Sequence, residues 1–81
     1  MWRLEEAFVL IKTESGRSKE VLDALNRIDE VVKACVVTGA YDIIAIVRAR
    51  DAYLLVKNIL LDKIHKIPGI ISTSTAFAFE P

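Results

Sequence analysis

Cysteine, histidine and tryptophan each occur once in this 81-residue chain, proline twice and glycine three times. The lone Cys35 excludes an internal disulfide, which suits a reducing compartment, and no metal-binding motif occurs. There is no Pro/Ser/Gly-rich linker, low-complexity segment or run of like charges. An excess of either charge is missing as well: Lys+Arg and Asp+Glu number 11 each. With a pI near 6.6, nothing in this balance holds a phosphate backbone, so direct nucleic-acid binding is not expected. No apolar run approaches the roughly 18 to 20 residues of a membrane span, because Lys12, Lys33, Arg48, Lys57 and Lys63 interrupt. The start, Met1-Trp2-Arg3-Leu4-Glu5-Glu6, places acids where a signal peptide needs its apolar core, so the expectation is a cytoplasmic protein.

What is present is apolar. Hydrophobic residues make up 53% of the chain, and its mean hydropathy is +0.36. A chain of this length is expected to be a single domain over 1–81, and such small domains bury only about 60 to 65% of their unfolded surface. The apolar surplus implies an assembly that buries the rest.

The segment Val36-Val37-Thr38-Gly39-Ala40-Tyr41-Asp42-Ile43-Ile44 reads as two strands folded back on a polar turn. Gly39-Ala40 suits a tight two-residue connection with glycine where φ is positive. On this reading the hairpin arms run from Val31 to Thr38 and from Tyr41 to Arg50. Ile43, Ala45 and Val47 then share one face of the second arm, and Ile44 and Ile46 the other.

Upstream, Ala7 to Thr13 is β-branched and aromatic without a breaker, which predicts a strand. Ser18 is expected to cap a helix reaching about Ile28, with Val21, Leu22, Leu25 and Ile28 on its buried stripe. Downstream, Asp51 is expected to cap a helix over about Ala52 to Lys66, with Leu55, Val56, Ile59, Leu60 and Ile64 as its apolar residues. Pro68-Gly69 ends it. Ile70 to Phe79 alternates as a last strand.

The order β-α-β-β-α-β predicts an α+β, ferredoxin-like fold: a four-stranded antiparallel sheet with two helices on one face. The first and third strands, central in this arrangement, are apolar on both sides. The helix-free face therefore carries an apolar patch that a monomer seldom tolerates. Face-to-face packing with a second copy is the simplest closed solution.

Three motifs in order, Ala7-Phe8-Val9-Leu10-Ile11, Thr38-Gly39-Ala40-Tyr41-Asp42 and Ile67-Pro68-Gly69-Ile70-Ile71-Ser72-Thr73-Ser74-Thr75, resemble the RAM domain. That domain is the effector-binding half of Lrp/AsnC (feast/famine) transcription regulators, and the likeness runs from about Ala7 to Phe79. It implies an amino-acid effector as ligand, homo-oligomers in which dimers pair through their sheets and assemble to octamers or similar rings, and effector sites between dimers. Full regulators of that family carry an N-terminal helix-turn-helix domain. About six residues precede the first strand here, so the expectation is a RAM domain standing alone, without helix-turn-helix, whose partners include full-length regulators.

A free amino acid needs amides or hydroxyls for its carboxylate and an anion or carbonyls for its ammonium. The Gly39 turn offers amides, with Thr38 and Ala40 beside it; Asp42 offers the anion, and Tyr41 a ring wall. Two readings stay open here. Gly39 also fits plain turn geometry, and Asp42 also fits a side chain bonding nearby amides. The resemblance implies that Ser72, Thr73, Ser74 and Thr75 join this site, Ser72 and Ser74 first; ordinary strand propensity accounts for threonine there equally well.

No catalytic residue, metal ligand or cofactor is expected. His65 sits on a helix's closing turn without a triad partner nearby in sequence, where a solvated or dipole-stabilising role is the simpler one. Cys35 reads as a small buried or interface residue, Trp2 as a packing residue and Tyr53 as a helix's polar edge. The competing function classes are a small dimeric ferredoxin-like enzyme, such as an isomerase or cofactor-free monooxygenase, and a regulatory module of the ACT type.

Overall fold

Strand-forming residues free of glycine and proline make up β1 (Glu5–Thr13), which occupies the middle of the sheet in a computed structural model describing residues 5–78. The element order continues with α1 (Ser18–Leu25), β2 (Val31–Val36), β3 (Ile43–Ala49), α2 (Ala52–Leu54) with a π-helical continuation (Leu55–Ile64), and β4 (Ile70–Ala78). The four strands lie in the order β2-β3-β1-β4, all neighbours antiparallel, which is the expected ferredoxin-like arrangement. Trp2 and Phe79 lie outside the described residues.

The core lies on one face of the sheet. Ala7, Val9 and Ile11 of β1 and Ile43, Ala45 and Val47 of β3 are fully buried there against Val21 and Leu25 of α1 and Leu55, Ile59, Leu60 and Ile64 of the π-helical segment. By register the opposite face carries Phe8 and Leu10 of β1, Ile44 and Ile46 of β3, Cys35 of β2, and Ala76 and Ala78 of β4. Phe8 remains 42% exposed. The two central strands are thus apolar on both sides. Arg48 and Glu6 form an ion pair across the strands at the end of this open face.

Four local expectations are corrected. The hairpin connection is longer than two residues: the Val37 amide donates to the Asp42 carbonyl at 2.8 Å, which leaves Thr38 to Tyr41 as a four-residue loop. Gly39 still has a positive φ, +114°, but β2 ends at Val36 and β3 begins at Ile43. Ser18 does not cap α1. It lies within the helix, with Arg17 at the cap position, and its hydroxyl is hydrogen-bonded to that of Thr13 at 2.9 Å. α1 stops at Leu25, and Ile28 packs on the core from the turns that follow.

The last helix differs in kind from a regular α-helix. Asp51 caps it as expected, its carboxylate accepting from the Leu54 amide at 2.8 Å. From Leu55 the helix then widens, as the bond from the His65 amide to the Leu60 carbonyl five residues earlier records. The wide turn explains which side chains are buried. Leu55 and Leu60 are five apart, as are Ile59 and Ile64, and both pairs face the core while Val56 is 40% exposed.

Candidate functional site

β1 ends at Thr13, and loops grip it from both sides. On the β3 side, the Asp42 amide donates to the Ile11 carbonyl at 2.9 Å, and the Asp42 carboxylate accepts from the Thr13 amide at 2.8 Å. Asp42 therefore continues the β1–β3 ladder past the last regular pair, Ile11↔Ile43, with its side chain in place of a carbonyl. On the β4 side, the Glu14 amide donates to the Gly69 carbonyl at 2.8 Å. This end of the sheet gathers the hairpin loop, the β1–α1 turn and the start of β4.

The candidate residues fall into two groups here. Thr38, Gly39 and Ala40 are exposed in the loop, and Tyr41 and Asp42 are half-buried. Ser72, Thr73, Ser74 and Thr75 lie beyond β1, with Ser72 opposite Lys12, Thr73 opposite Ile11, Ser74 opposite Leu10 and Thr75 opposite Val9. β3 and β4 are two strand spacings apart, about 9.5 Å, so within one chain the groups flank the end of β1 without touching across it. The hydroxyls also divide. Ser72 and Ser74 belong to the open face, and Thr73 and Thr75 to the face that bears the helices.

Asp42 serves a structural purpose in this geometry, since one carboxylate oxygen is committed to the Thr13 amide. The Gly39 loop keeps its accessibility: a Cβ at Gly39 would meet nothing within 4 Å. Gly69 is the opposite case. Its φ is +99°, and a Cβ there would lie 3.1 Å from Val21 Cγ2 and 3.2 Å from Arg17 Nε. Arg17 in turn bonds Glu14 and Glu20. Hydrogen bonding to Arg17 holds the Glu20 carboxyl below its usual range, and the same two acids raise the guanidinium.

His65 has a partner that sequence spacing did not reveal. Its Nε2 is 2.8 Å from Thr73 Oγ1, which ties the end of the last helix to β4. Around this contact an open pocket of about 280 Å3 is lined by His65, Ile70, Ile71, Ser72 and Thr73. The available signal was parity: Thr73 lies on the helix-bearing face, eight residues after a histidine that precedes the Pro68-Gly69 reversal. A second pocket, of about 300 Å3, lies among Glu30, Ala49, Arg50, Leu54, Asn58 and Ile59. Beside it, hydrogen bonding from Lys63 at 2.7 Å holds the Glu30 carboxyl below the usual carboxylate range. Among the described residues, no group of three His, Cys, Asp or Glu is placed to hold a metal. None of their helices is long and apolar enough to cross a membrane.

Comparison with known proteins gives this arrangement a context. A family model described as the Lrp/AsnC ligand binding domain matches residues 6–81. The HTH-type transcriptional regulator FL11 of Pyrococcus horikoshii is 36% identical over 69 residues, which is 85% of this chain and 44% of that protein. The chain spans less than half the length of that curated relative. Among solved structures, TTHA0845 from Thermus thermophilus is similar with a TM-score of 0.86 at 31% identity, covering 95% of both chains. The structure of E. coli AsnC is similar with a TM-score of 0.88 at 31% identity, over 95% of this chain and 52% of that one.

Proposed function

The chain belongs to the Lrp/AsnC ligand-binding domain family, and on that premise we propose that it is a homo-oligomeric module that binds a free amino acid and communicates by assembly. The observation that carries this reading is the clustering at one end of the sheet. Accessible turn amides at Gly39, the Asp42 carboxylate and the hydroxyls of Ser72 to Thr75 flank the end of β1, beside an apolar sheet face. A ligand that bridges the hairpin of one copy and the β4 hydroxyls of another then couples its own binding to association.

Binding rather than catalysis is favoured because the relatives are named as transcriptional regulators. In this role the module pairs through its open face, builds a larger ring from dimers, and joins full-length regulators of the same family in mixed assemblies. A ligand held only in the assembled state stabilises that state by RT ln(1 + [L]/Kd), about 2.7 kcal/mol per site at a hundredfold excess over Kd.

The test is a thermal-shift screen of the intact chain against the twenty amino acids, paired with light scattering for mass. At least one amino acid is expected to raise Tm by several degrees and to change the mass. Twenty compounds that move neither quantity would sink the proposal. Co-purification with a full-length regulator tests mixed assembly, and recovery of self-assemblies alone refutes that part.

A further inference from the structure

The second pocket lies away from the residues gathered at the Thr13 end of β1. Ala49, in its wall, pairs with Glu5, whereas the candidate site begins at the Ile11↔Ile43 pair, and the strand between them is about 20 Å long. Its walls are anchored on both sides. The Glu30 carbonyl accepts from the Arg48 amide at 3.0 Å, which ties the entry of β2 to the exit of β3. Asp51 holds the first turn of the last helix through the Leu54 amide at 2.8 Å, and Leu54 and Asn58 line the cavity from that helix. We propose that this cavity is a separate binding site for a small aliphatic zwitterion, with Glu30 receiving the ammonium and Arg50 the carboxylate.

Charge selects the ligand class. Glu30 and Arg50 line one cavity of about 300 Å3, and small-molecule sites run from roughly 300 to 1,000 Å3. A ligand that is only positive meets the guanidinium, and one that is only negative meets the carboxylate. A molecule that carries both charges satisfies each side. Because the cavity shares no residue with the hairpin loop or with Ser72 to Thr75, this site does not depend on the effector reading above.

Each charged group suits the part given to it. Lys63 Nζ donates to Glu30 Oε1 at 2.7 Å and keeps this carboxyl ionised, while the second oxygen can accept from an ammonium. Arg50 interacts elsewhere in the protein as well, but a guanidinium has five N–H donors and serves a ligand carboxylate alongside another partner. Asn58 adds an amide that both donates and accepts. Ala49, Leu54 and Ile59, the last only 2% exposed, supply an apolar floor for a short hydrocarbon portion.

Asn26 and Asn58 carry the only side-chain amides of the chain, so their NH2 signals report on this cavity with little overlap. The experiment adds valine, leucine, γ-aminobutyrate and ε-aminocaproate to the intact protein at up to about 10 mM, with butylamine and butyrate as singly charged controls, following the amides by NMR and affinity by calorimetry. At least one zwitterion is expected to move the Asn58 signals and to bind at least about tenfold more tightly than either control, since each control forgoes one charged hydrogen bond. In Glu30→Gln butyrate should outbind that zwitterion, and in Arg50→Gln butylamine should, a reversal that a merely structural loss does not produce. Asn58→Leu, at an exposed helical position, fills the cavity and should weaken binding of the zwitterion about tenfold. If all four zwitterions leave the Asn58 signals fixed, or if neither charge variant reverses the preference, the site is refuted. A zwitterion that moves the Gly39 amide and not Asn58 likewise refutes it and leaves the effector reading standing.

Discussion

Replacing Asp42 by alanine decides whether this carboxylate is primarily a piece of the fold or a free anion for a ligand. In the native structure it accepts from the Thr13 amide at 2.8 Å. Thr13 is only 7% exposed, so water has little access to that amide once the carboxylate is gone. A buried donor left without a partner costs about 1 to 3 kcal/mol. Taking the middle of that range, Asp42→Ala should lose about 2 kcal/mol, which for a domain of this size lowers Tm by about 8 to 16 °C. Asp42→Asn retains an acceptor oxygen in the same place and should lose less than about 1 kcal/mol. The backbone bond from the Asp42 amide to the Ile11 carbonyl is untouched in both variants, so the difference between them isolates the side chain. Urea unfolding followed by circular dichroism measures this, at one fixed protomer concentration because association shifts the midpoint. If Asp42→Ala matched the unmodified protein within about 0.5 kcal/mol, the structural role argued for this carboxylate would be wrong.

Three further outcomes follow from the geometry. Gly69→Ala should cost about 2 to 4 kcal/mol, from the positive φ together with contacts at 3.1 and 3.2 Å, whereas Gly39→Ala should cost only about 1 to 2 kcal/mol of backbone strain; equal losses on chemical unfolding would refute the distinction. The Glu30 carboxyl is held low by Lys63, so its contribution is present above the unfolded carboxylate pKa and is lost as pH falls through the lower folded one. Acid unfolding of Glu30→Gln should therefore lack part of the stability loss below about pH 4.5, an effect kept under about 1 kcal/mol by the pair's exposure. Finally, Ile46→Lys or Phe8→Asp on the open face should reduce the mass seen by light scattering to that of a monomer while circular dichroism keeps its native form; an unchanged mass would move the self-association surface elsewhere.

The fold was legible because its strongest signals are local and repeated. Alternation in β3 separates Ile43, Ala45 and Val47 from Ile44 and Ile46, and the structure keeps that division. Asp51 before a helical apolar pattern gave a cap that the structure retains. The misread points are those at which a tertiary contact outcompeted the local one. Ser18 had two available partners, an orphan helix amide and the Thr13 hydroxyl, and the second is supplied by a strand that local sequence cannot place. The π-helical turn arises in the same way. A regular turn would set Asp62 or Lys63 beneath the buried Ile59, whereas the wider one brings Ile64 there instead.

The site was legible only in part, for a related reason. Sequence pattern identifies residues able to contact a ligand, and at the end of β1 those same residues are also needed to finish a sheet. Asp42 illustrates the conflict: its amide and one carboxylate oxygen complete the ladder at Ile11 and Thr13. One oxygen is then the most it can offer outward. Period-2 alternation says that Ser72 and Ser74 face one way and Thr73 and Thr75 the other, but the partner of each face depends on topology. Only the placement of β4 at the sheet edge beside the last helix brings Thr73 to His65. Four consecutive hydroxyls therefore serve two different surfaces. Ser74 belongs with the apolar face, where variants should alter self-association, and Ser72 shares that face by register while also lining the pocket beside His65. Thr73 belongs with the imidazole, where Thr73→Val should alter ligand binding without altering mass in the absence of ligand, and an equal effect of Ser74→Ala and Thr73→Val on both quantities would contradict this division.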